Sequence, residues 1–452
     1  MLPLAMILAG RGAVVAGSDR ALDQGRLAAK FDYLRAADVA LFAQDGSGIN
    51  SSNDTLVASA AVEDTVPDVA AALRVGARRV SRAELLSTLF NGAELPIGIA
   101  GTSGKSTTTA MIGWILSQAD ADPTIMNGAA MKNFVSADAP FASARIGSGP
   151  AFVSEIDESD GSIEMFTPAI AVLNNIALDH KSMDELRALF NGYIDRATHA
   201  VLNLDNDETK TIADKNKDAQ STYSLHDKTA DFYSEDVALK ADGVGFSVVA
   251  NTLGERADVD LKMPGRHNVS NGLAAIAASV AAGVSFPDAA KALSTFSGVK
   301  RRLEYVGVGG GVTIIDDFAH NPDKISASLT TLSEFSGRVL ILFQPHGFGP
   351  LKKMRQELIG AFADHMRADD ILLMPEPVYF GGTVDRSVSS SDIVEGVRSA
   401  NRDARGFATR EECGEALLEV ARAGDRIVVM GARDDTLSEF AQDLCVRLDK
   451  RG

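Results

Sequence analysis

The chain has 452 residues, of which 45% are hydrophobic and 23% are charged. This length predicts about three domains, and the composition is typical of a globular protein that buries real cores. With 61 acidic against 44 basic residues the net charge is −17, which argues against nucleic-acid and anionic-membrane partners.

The cysteines and the apolar segments indicate the cellular setting. Cys413 and Cys445 are the only two cysteines, and they lie far apart, so we expect reduced thiols and no cysteine metal site. No apolar run approaches about 18 residues without a charge, which predicts no transmembrane helix. The apolar opening, residues 1–10, lacks a basic leader and predicts a helix, not a signal peptide. These features favour a cytoplasmic protein.

Residues 1–95 contain short strand-like and helical segments that predict a small α/β domain. Apolar residues 13–16 predict a strand, and residues 55–58 predict another. Asp19 follows the first of these strands, where dinucleotide-type folds place an acidic residue against a ribose. Taken alone, however, the position of Asp19 favours a carboxylate that caps a turn over a ribose contact.

The segment from Leu95 to Ala100 is an apolar strand that leads into a glycine-rich turn. Lys105 and hydroxyl residues follow, and they open an apolar helical pattern. Glycines let backbone N–H groups surround phosphate oxygens, the helix N-terminus adds its dipole, and the lysine adds a charge. Residues 101–106 therefore predict a variant P-loop, since Ile99 stands where the strict motif has glycine. The alternative is a glycine turn that precedes a lysine by chance.

Acidic residues follow a second apolar strand, residues 151–155. Glu155 closes that strand and opens a run of acidic and hydroxyl residues to Asp160. Another strand, residues 170–174, is followed by Asn175 and His180. Parallel strands end at the same sheet edge, so these groups and the P-loop predict a cation site there. A solvated acidic turn and a structural histidine are the alternatives.

The remaining segments predict a polar connection and a third α/β block. Residues 205–262 predict loops and short antiparallel strands, and residues 271–281 predict a helix. Gly265 to Asn271 suits a nucleobase or ribose but equally caps that helix. From residue 298 onward, strands are predicted at 312–315, 339–343 and 426–430. Polar residues cluster beside these strands: Lys300, Arg301, Arg302, Asp316, Asp317, His320 and His346.

Taken together and in order, these motifs resemble the Mur ligase family, the ATP-dependent amino-acid ligases of peptidoglycan precursor synthesis. Within it they are most similar to the branch that adds L-alanine or a murein peptide to UDP-N-acetylmuramate. The resemblance implies an α/β fold of three domains: a Rossmann-like UDP-sugar-binding domain (1–95), a central P-loop ATPase domain (96–297) and a C-terminal Rossmann-like ligase domain (298–452). The third domain is expected to close over the site.

The resemblance also implies roles for individual residues. Lys105, His180 and Arg302 are expected to be catalytic, and Ser106, Glu155 and His180 to bind Mg²⁺. ATP is expected to contact Gly101, Thr102, Ser103, Gly104, Lys105, Ser106, Thr107, Asn268, Arg302 and Asp316. Substrate is expected to contact Asp19, Asn175, His320 and His346. The expected substrates are a UDP-N-acetylmuramate-type sugar nucleotide and an amino acid, L-alanine first, or a short peptide, joined through an acyl phosphate by a monomer or homodimer.

Three departures from the family pattern bear on these expectations. The sequence opens at residues that resemble the helix after the family's first strand and glycine-rich loop, so that either the start site is wrongly chosen or the first domain has lost that strand and loop. Ser103 and Ser106 replace the histidine and threonine that are common in the phosphate loop. Gly347 to Pro350 follow His346 where alanine-adding enzymes carry arginines. Ligation of a murein tripeptide, a P-loop ATPase that drives a partner, and a non-catalytic nucleotide-binding regulator therefore stay open as alternatives.

Overall fold

A computed structural model describes residues 1–59, 62–178, 181–216, 219–240, 242–378, 387–432, 434 and 436–451. The chain divides into two compact units. The first contains Met1–Val237, Phe246–Leu261 and Val269–Val299; the second contains Ala238–Gly245, Lys262–Asn268 and Lys300–Gly452. Both units alternate strands and helices, which confirms the predicted α/β class. No helix of the described residues is long and apolar enough to cross a bilayer.

The N-terminal region pairs its strands in two separate parallel sheets, β1 with β2 and β3 with β4. Its elements are α1 (Leu2–Gly10), β1 (Ala16–Ser18), α2 (Arg20–Asp23), α3 (Ala28–Ala36), β2 (Ala40–Phe42), β3 (Thr55–Ala58), α4 (Pro67–Val75), β4 (Arg78–Ser81) and α5 (Arg82–Asn91). The predicted opening helix is confirmed. The strand predicted at 13–16 begins only at Ala16, because Val14 is fully exposed and pairs with nothing in a sheet.

One buried carboxylate on α4 binds the ends of the first pair of strands. Asp68, in the first turn of α4, accepts hydrogen bonds from Ser18 Oγ at the end of β1 and from Gly46 N, at 2.8 Å for the latter. Gly46 follows β2 and has φ +87°. Asp68 therefore ties the end of the first pair of strands to the helix that follows β3.

The central region is built on one long sheet with the strand order β14-β13-β12-β11-β10-β9-β5-β8-β6-β7. Its elements are β5 (Leu95–Ala100), α6 (Lys105–Gln118), β6 (Thr124–Met126), β7 (Ala144–Arg145), β8 (Ala151–Glu155), β9 (Ile170–Leu173), α7 (Met183–Asp195), β10 (His199–Asn203), α8 (Asp207–Lys215), β11 (Gln220–Ser224), β12 (Phe232–Lys240), β13 (Gly243–Ala250), β14 (Glu255–Leu261), α9 (Arg266–Ala281) and α10 (Phe286–Leu293). Short 3₁₀ turns cover Lys132–Phe134 and Ser162–Met165.

The middle of this sheet is parallel and buried. β5 pairs with β8 on one side and with β9 on the other, both in parallel. Residues of β5, β8 and β9 are almost fully buried, as expected for central strands covered on both faces. The three strands therefore end at one edge, where the phosphate loop and the polar residues after β8 and β9 meet.

The prediction of loops and short antiparallel strands for 205–262 is partly wrong. Residues 207–215 form α8, which Asn206 caps by accepting a hydrogen bond from Thr209 N at 3.2 Å. β11 then pairs with β10 in parallel, so it extends the central sheet. Polar residues dominate α8 and β12 because one side of each of these elements faces solvent.

The C-terminal region is a second sheet, in the order β15-β16-β20-β17-β18-β19. Its elements are β15 (Glu304–Gly309), β16 (Val312–Asp317), α11 (Pro322–Ser333), β17 (Val339–Gln344), α12 (Phe348–Lys353), α13 (Arg355–His365), β18 (Ile371–Pro375), α14 (Ser390–Ser399), β19 (Asp403–Phe407), α15 (Arg410–Val420), β20 (Arg426–Gly431) and α16 (Thr436–Asp449). Alternate residues of β17 enter two cores: Ile341 and Phe343 lie with α11, α13 and α14, and Leu340 and Leu342 lie with α15 and α16. This sheet is therefore doubly wound, and β15 is its antiparallel edge strand.

Candidate active site

The phosphate loop joins the end of β5 to the start of α6. Gly101 has φ +125° and Gly104 has φ +80°, conformations that side chains rarely adopt. A Cβ atom on Gly104 would lie 2.5 Å from Asn271 Oδ1 and 2.7 Å from Asn174 Nδ2. Glycine is therefore required at position 104 by both backbone and space. The loop delivers Lys105 as the first residue of a 14-residue helix, whose N-terminal dipole favours an anion.

Asparagine side chains hold this loop from the neighbouring strands and helix. Asn175 Oδ1 accepts from Thr102 Oγ1 at 2.8 Å and from Ser103 N at 3.0 Å, and its Nδ2 donates to Ser103 Oγ at 2.9 Å. Asn174 Nδ2 donates to Thr108 Oγ1 at 3.0 Å. These bonds fix the loop before a ligand arrives. Asn175, expected to contact substrate, therefore uses its carboxamide to brace the loop.

Lys105 is paired with an acidic residue that the sequence did not single out as a site residue. Its Nζ lies 2.9 Å from Glu158 Oε2 and donates to Gly101 O at 2.6 Å. The Glu158 side chain is 5% exposed and the Lys105 side chain 19%. Burial raises the pKa of the Glu158 carboxyl above its usual value, and the charge of Lys105 opposes that shift.

Ser106 and Glu155 place two oxygen donors side by side at the start of α6. Ser106 Oγ donates to Glu155 Oε2 at 2.7 Å. A Cβ on Gly128 would overlap Glu155 Oε1, so the glycine after β6 leaves room for this carboxylate. Asn127 Nδ2 donates to Ser106 O at 2.9 Å, and its Oδ1 is buried without a partner. The dipeptide Asn127-Gly128 directly after the short buried strand β6 is the sequence signal that could have identified these two residues as part of the site.

The donor set fits Mg²⁺. Mg²⁺ binds hard oxygen ligands and usually takes one or two carboxylates together with phosphates and water. Ser106 and Glu155 supply a hydroxyl and a carboxylate, and no group of three or more His, Cys, Asp or Glu residues forms a metal cage in the described part of the chain. Asp179 and His180, the latter expected as ligand and catalytic residue, lie outside the described residues.

The acidic run after β8 divides into two kinds of carboxylate. Asp157 accepts from Ser159 N at 2.9 Å, and Asp160 accepts from Ser162 N at 2.9 Å. These two side chains cap their own turns. Glu155 and Glu158, by contrast, contact the first residues of α6. The interpretation as a solvated acidic turn therefore holds for the aspartates and not for the glutamates.

The second unit gathers a separate set of polar residues at the carboxyl ends of β16, β17 and β20. Arg301, with φ +58°, donates from Nη2 to Gly431 O at 2.8 Å and forms an ion pair with Asp316 at 3.3 Å. Ser438 Oγ donates to the other oxygen of Asp316 at 2.5 Å. Burial raises the pKa of Asp316, and Arg301 opposes the shift. Both oxygens of Asp316, expected to contact a nucleoside, are thus engaged within the unit.

An aromatic and imidazole cluster lies beside this ion pair. The Arg302 guanidinium carbon is 4.8 Å from the Phe318 ring centre, and the His320 and His346 rings are 5.4 Å apart. His320 Nδ1 lies 2.8 Å from Phe318 O, so Nδ1 carries the proton and Nε2 is left as an acceptor. Burial lowers the pKa of His320 to about 3, which keeps the imidazole neutral. The structure thus brings Arg302, His320 and His346 together.

Three further predicted residues occupy local structural positions. Asp19 Oδ1 accepts from Ala21 N at 2.8 Å and caps α2. Asn268 is buried, and its Nδ2 donates to Pro264 O at 2.7 Å. Thr107 is buried in the first turn of α6. The roles predicted for these residues toward ligands stay predictions.

Family profiles match the chain in three consecutive segments. Residues 1–93 match the profile described as Mur ligase family, catalytic domain, residues 99–279 the Mur ligase middle domain, and residues 301–433 the Mur ligase, glutamate ligase domain. Together the three profiles span most of the sequence.

Similar proteins match over nearly the whole length. A UDP-N-acetylmuramate–L-alanine ligase of Streptomyces avermitilis is 32% identical over 463 residues, covering 100% of this chain and 96% of the relative. One of Rhizobium etli is 32% identical over 447 residues, covering 96% and 91%. The solved structure of a UDP-N-acetylmuramate–alanine ligase from Thermotoga maritima has a TM-score of 0.79 at 22% identity, covering 100% of this chain and 96% of that one. A murein peptide ligase from Psychrobacter arcticus has a TM-score of 0.71 at 25% identity, covering 99% and 96%.

Proposed function

Because this chain belongs to the Mur ligase family, with its three domains in order, we propose that it is an ATP-dependent ligase that joins L-alanine to UDP-N-acetylmuramate in peptidoglycan synthesis. The observation that supports this most directly is the full-length similarity to ligases of that name. The phosphate loop supports it too, since its backbone, Lys105 and Ser106 lie at the end of a buried parallel sheet, where they would bind a triphosphate.

The proposed reaction has two steps. The substrate carboxylate oxygen attacks the γ-phosphorus of ATP, and ADP leaves, which produces an acyl phosphate. The amine nitrogen of alanine then attacks the acyl carbon, inorganic phosphate leaves, and the nitrogen loses a proton. Phosphoryl transfer needs charge neutralisation and positioning more than covalent help from the protein.

The residues of the loop would divide this work. Lys105 would neutralise charge on the β- and γ-phosphates, and the N–H groups at the start of α6 would hold their oxygens. Ser106 and Glu155 would hold Mg²⁺, which when bound neutralises phosphate charge. Asn174 and Asn175 would keep the loop in its binding geometry, so that little reorganisation accompanies binding.

The acceptor is the part of the proposal that most needs a direct assay. Residues 347–350, which follow His346, contain no charged side chain, and the chain also shares its fold with a murein peptide ligase. Purified protein should therefore receive ATP, Mg²⁺ and UDP-N-acetylmuramate with L-alanine in one tube and the stem tripeptide in another. A product mass increased by one alanyl residue supports the proposal. A tripeptide product alone overturns the choice of acceptor, and no product in either tube overturns the ligase.

Lys105→Ala is the variant that links this activity to the loop. We expect product formation to fall by at least about 1,000-fold in a variant that still folds, because one preorganised charge contributes several kcal/mol to a phosphoryl-transfer transition state. Its melting temperature should fall as well, because the buried carboxylate of Glu158 loses its cation. Lys291→Ala, an exposed lysine on α10, is the matched control and should retain full activity. Normal product formation by Lys105→Ala would contradict the role of the loop. Gel filtration would test the expected monomer or homodimer.

A further inference from the structure

The ammonium group that should bind ATP already has a carboxylate partner. Lys105 Nζ contacts both oxygens of Glu158, at 2.9 and 3.3 Å, and Gly101 O at 2.6 Å. An ammonium group has three protons. Two are directed to Gly101 and Glu158, so the β- and γ-phosphates of ATP must compete with Glu158 for the charge of Lys105.

Glu158 cannot give up this partner without a replacement. Its side chain is 5% exposed, and a buried carboxylate that loses its cation is strongly disfavoured. Lys105 is the one ion-pair partner found for Glu158 among the described residues. When Lys105 turns toward phosphate oxygens, Glu158 also faces the negative charge of the nucleotide. Binding of ATP without a cation is therefore disfavoured for two reasons: Glu158 loses its cation, and it faces the negative charge of the nucleotide.

The neighbouring residues indicate where the replacement charge enters. Ser106 follows Lys105 directly, and Glu155, at the end of β8, lies three residues before Glu158, with 2.7 Å between Ser106 Oγ and Glu155 Oε2. A divalent cation held there brings positive charge to the same end of α6 as Lys105.

We propose that Glu158 is a positioning residue that makes nucleotide binding conditional on the divalent cation. It holds Lys105 against the loop and releases the ammonium group to phosphate only when a second positive charge is bound. This inference rests on the proposed ATP site and assigns to Glu158 the discrimination between ATP alone and the ATP–Mg²⁺ complex.

The test measures nucleotide affinity, not turnover. Dissociation constants of a fluorescent ATP analogue are measured with excess Mg²⁺ and with EDTA for the wild type, Glu158→Gln and Glu158→Ala. Both variants remove the charge, and they differ in shape. Glu158→Asp keeps the charge, and Glu164→Gln, an exposed glutamate in the following 3₁₀ turn, is the control.

We expect the two neutral variants to bind the metal-free nucleotide about tenfold more tightly than the wild type, which corresponds to about 1.4 kcal/mol. Their affinity for the nucleotide in the presence of Mg²⁺ should change far less. The ratio of the affinity with Mg²⁺ to the affinity without Mg²⁺ therefore falls. Glu158→Asp and Glu164→Gln should keep the wild-type ratio. Equal changes with and without Mg²⁺, or none, in the neutral variants would overturn the inference. If the wild type binds no nucleotide even with Mg²⁺, the proposed ATP site itself is wrong, which is a distinct result.

Discussion

Replacing Gly104 by alanine tests whether the shape of the phosphate loop depends on glycine. The added Cβ would meet Asn271 Oδ1 at 2.5 Å and Asn174 Nδ2 at 2.7 Å, and both asparagines are buried. Alanine at φ +80° costs about 1 kcal/mol of strain. Moving the asparagines breaks the bonds that join them to Thr108, at 3.3 and 3.0 Å, and each is worth about 1 kcal/mol. We therefore expect a loss of about 3 kcal/mol in the free energy of unfolding.

Gly254→Ala is the matched control, because Gly254 has φ +67° and nothing lies within 4 Å of its added Cβ. Gly254→Ala introduces the backbone strain without the steric overlap, so its free energy of unfolding should fall by about 1 kcal/mol. Urea unfolding followed by circular dichroism gives both values, and titration with nucleotide should show weaker binding for Gly104→Ala alone. Equal losses in the two variants would refute the claim that the asparagines require the space at position 104.

Two further predictions concern the cation site and the imidazole cluster. Gly128→Ala should displace the Glu155 carboxylate, which its Cβ would overlap, and raise the Mg²⁺ concentration for half-maximal activity by about tenfold; an unchanged Mg²⁺ titration would place the cation elsewhere. Burial lowers the pKa of His320 to about 3 in the folded protein, whereas its pKa in the unfolded chain is about 6.5. Below pH 6.5 the unfolded chain therefore binds a proton that the folded protein does not, and the free energy of unfolding falls as the pH falls. His320→Asn should therefore flatten the decline in unfolding free energy between pH 6.5 and 4, by up to about 1 kcal/mol per pH unit, and parallel pH curves for variant and wild type would contradict this origin.

Much of the fold could be predicted where the strands are buried on both faces. The strands at 95–100 and 151–155 appear with the predicted bounds, because uninterrupted apolar runs that end in glycine or acidic residues have few other structures. The helix predicted to begin at Asn271 begins at Arg266 instead. Its first turn is polar, so the apolar pattern starts only after the helix has begun.

The site could be predicted as a set of motifs but not as a set of contacts. Spacing predicted a glycine-rich loop with Lys105 at the start of a helix and Glu155 at the end of a strand, and both residues lie there. Their roles toward a phosphate or a cation stay predictions. The ion-pair partner of Lys105 depends on how the turn after β8 directs each carboxylate. The sequence alone does not tell whether Glu155 or Glu158 pairs with Lys105. In the same way, the motif predicts a substrate contact for Asn175, and only its hydrogen bonds to Thr102 and Ser103 show that its carboxamide braces the loop.

The division of the N-terminal strands into two separate pairs affects how this region opens. Among the described residues, no backbone ladder joins β1–β2 to β3–β4, and the contact through Asp68 consists of two hydrogen bonds. Two-stranded sheets have little stability of their own. We therefore expect these two pairs of strands to open locally at a lower free energy than the whole protein. A ligand that binds only when both pairs of strands are formed would have a lower apparent affinity, reduced by the fraction of molecules in which these strands are open.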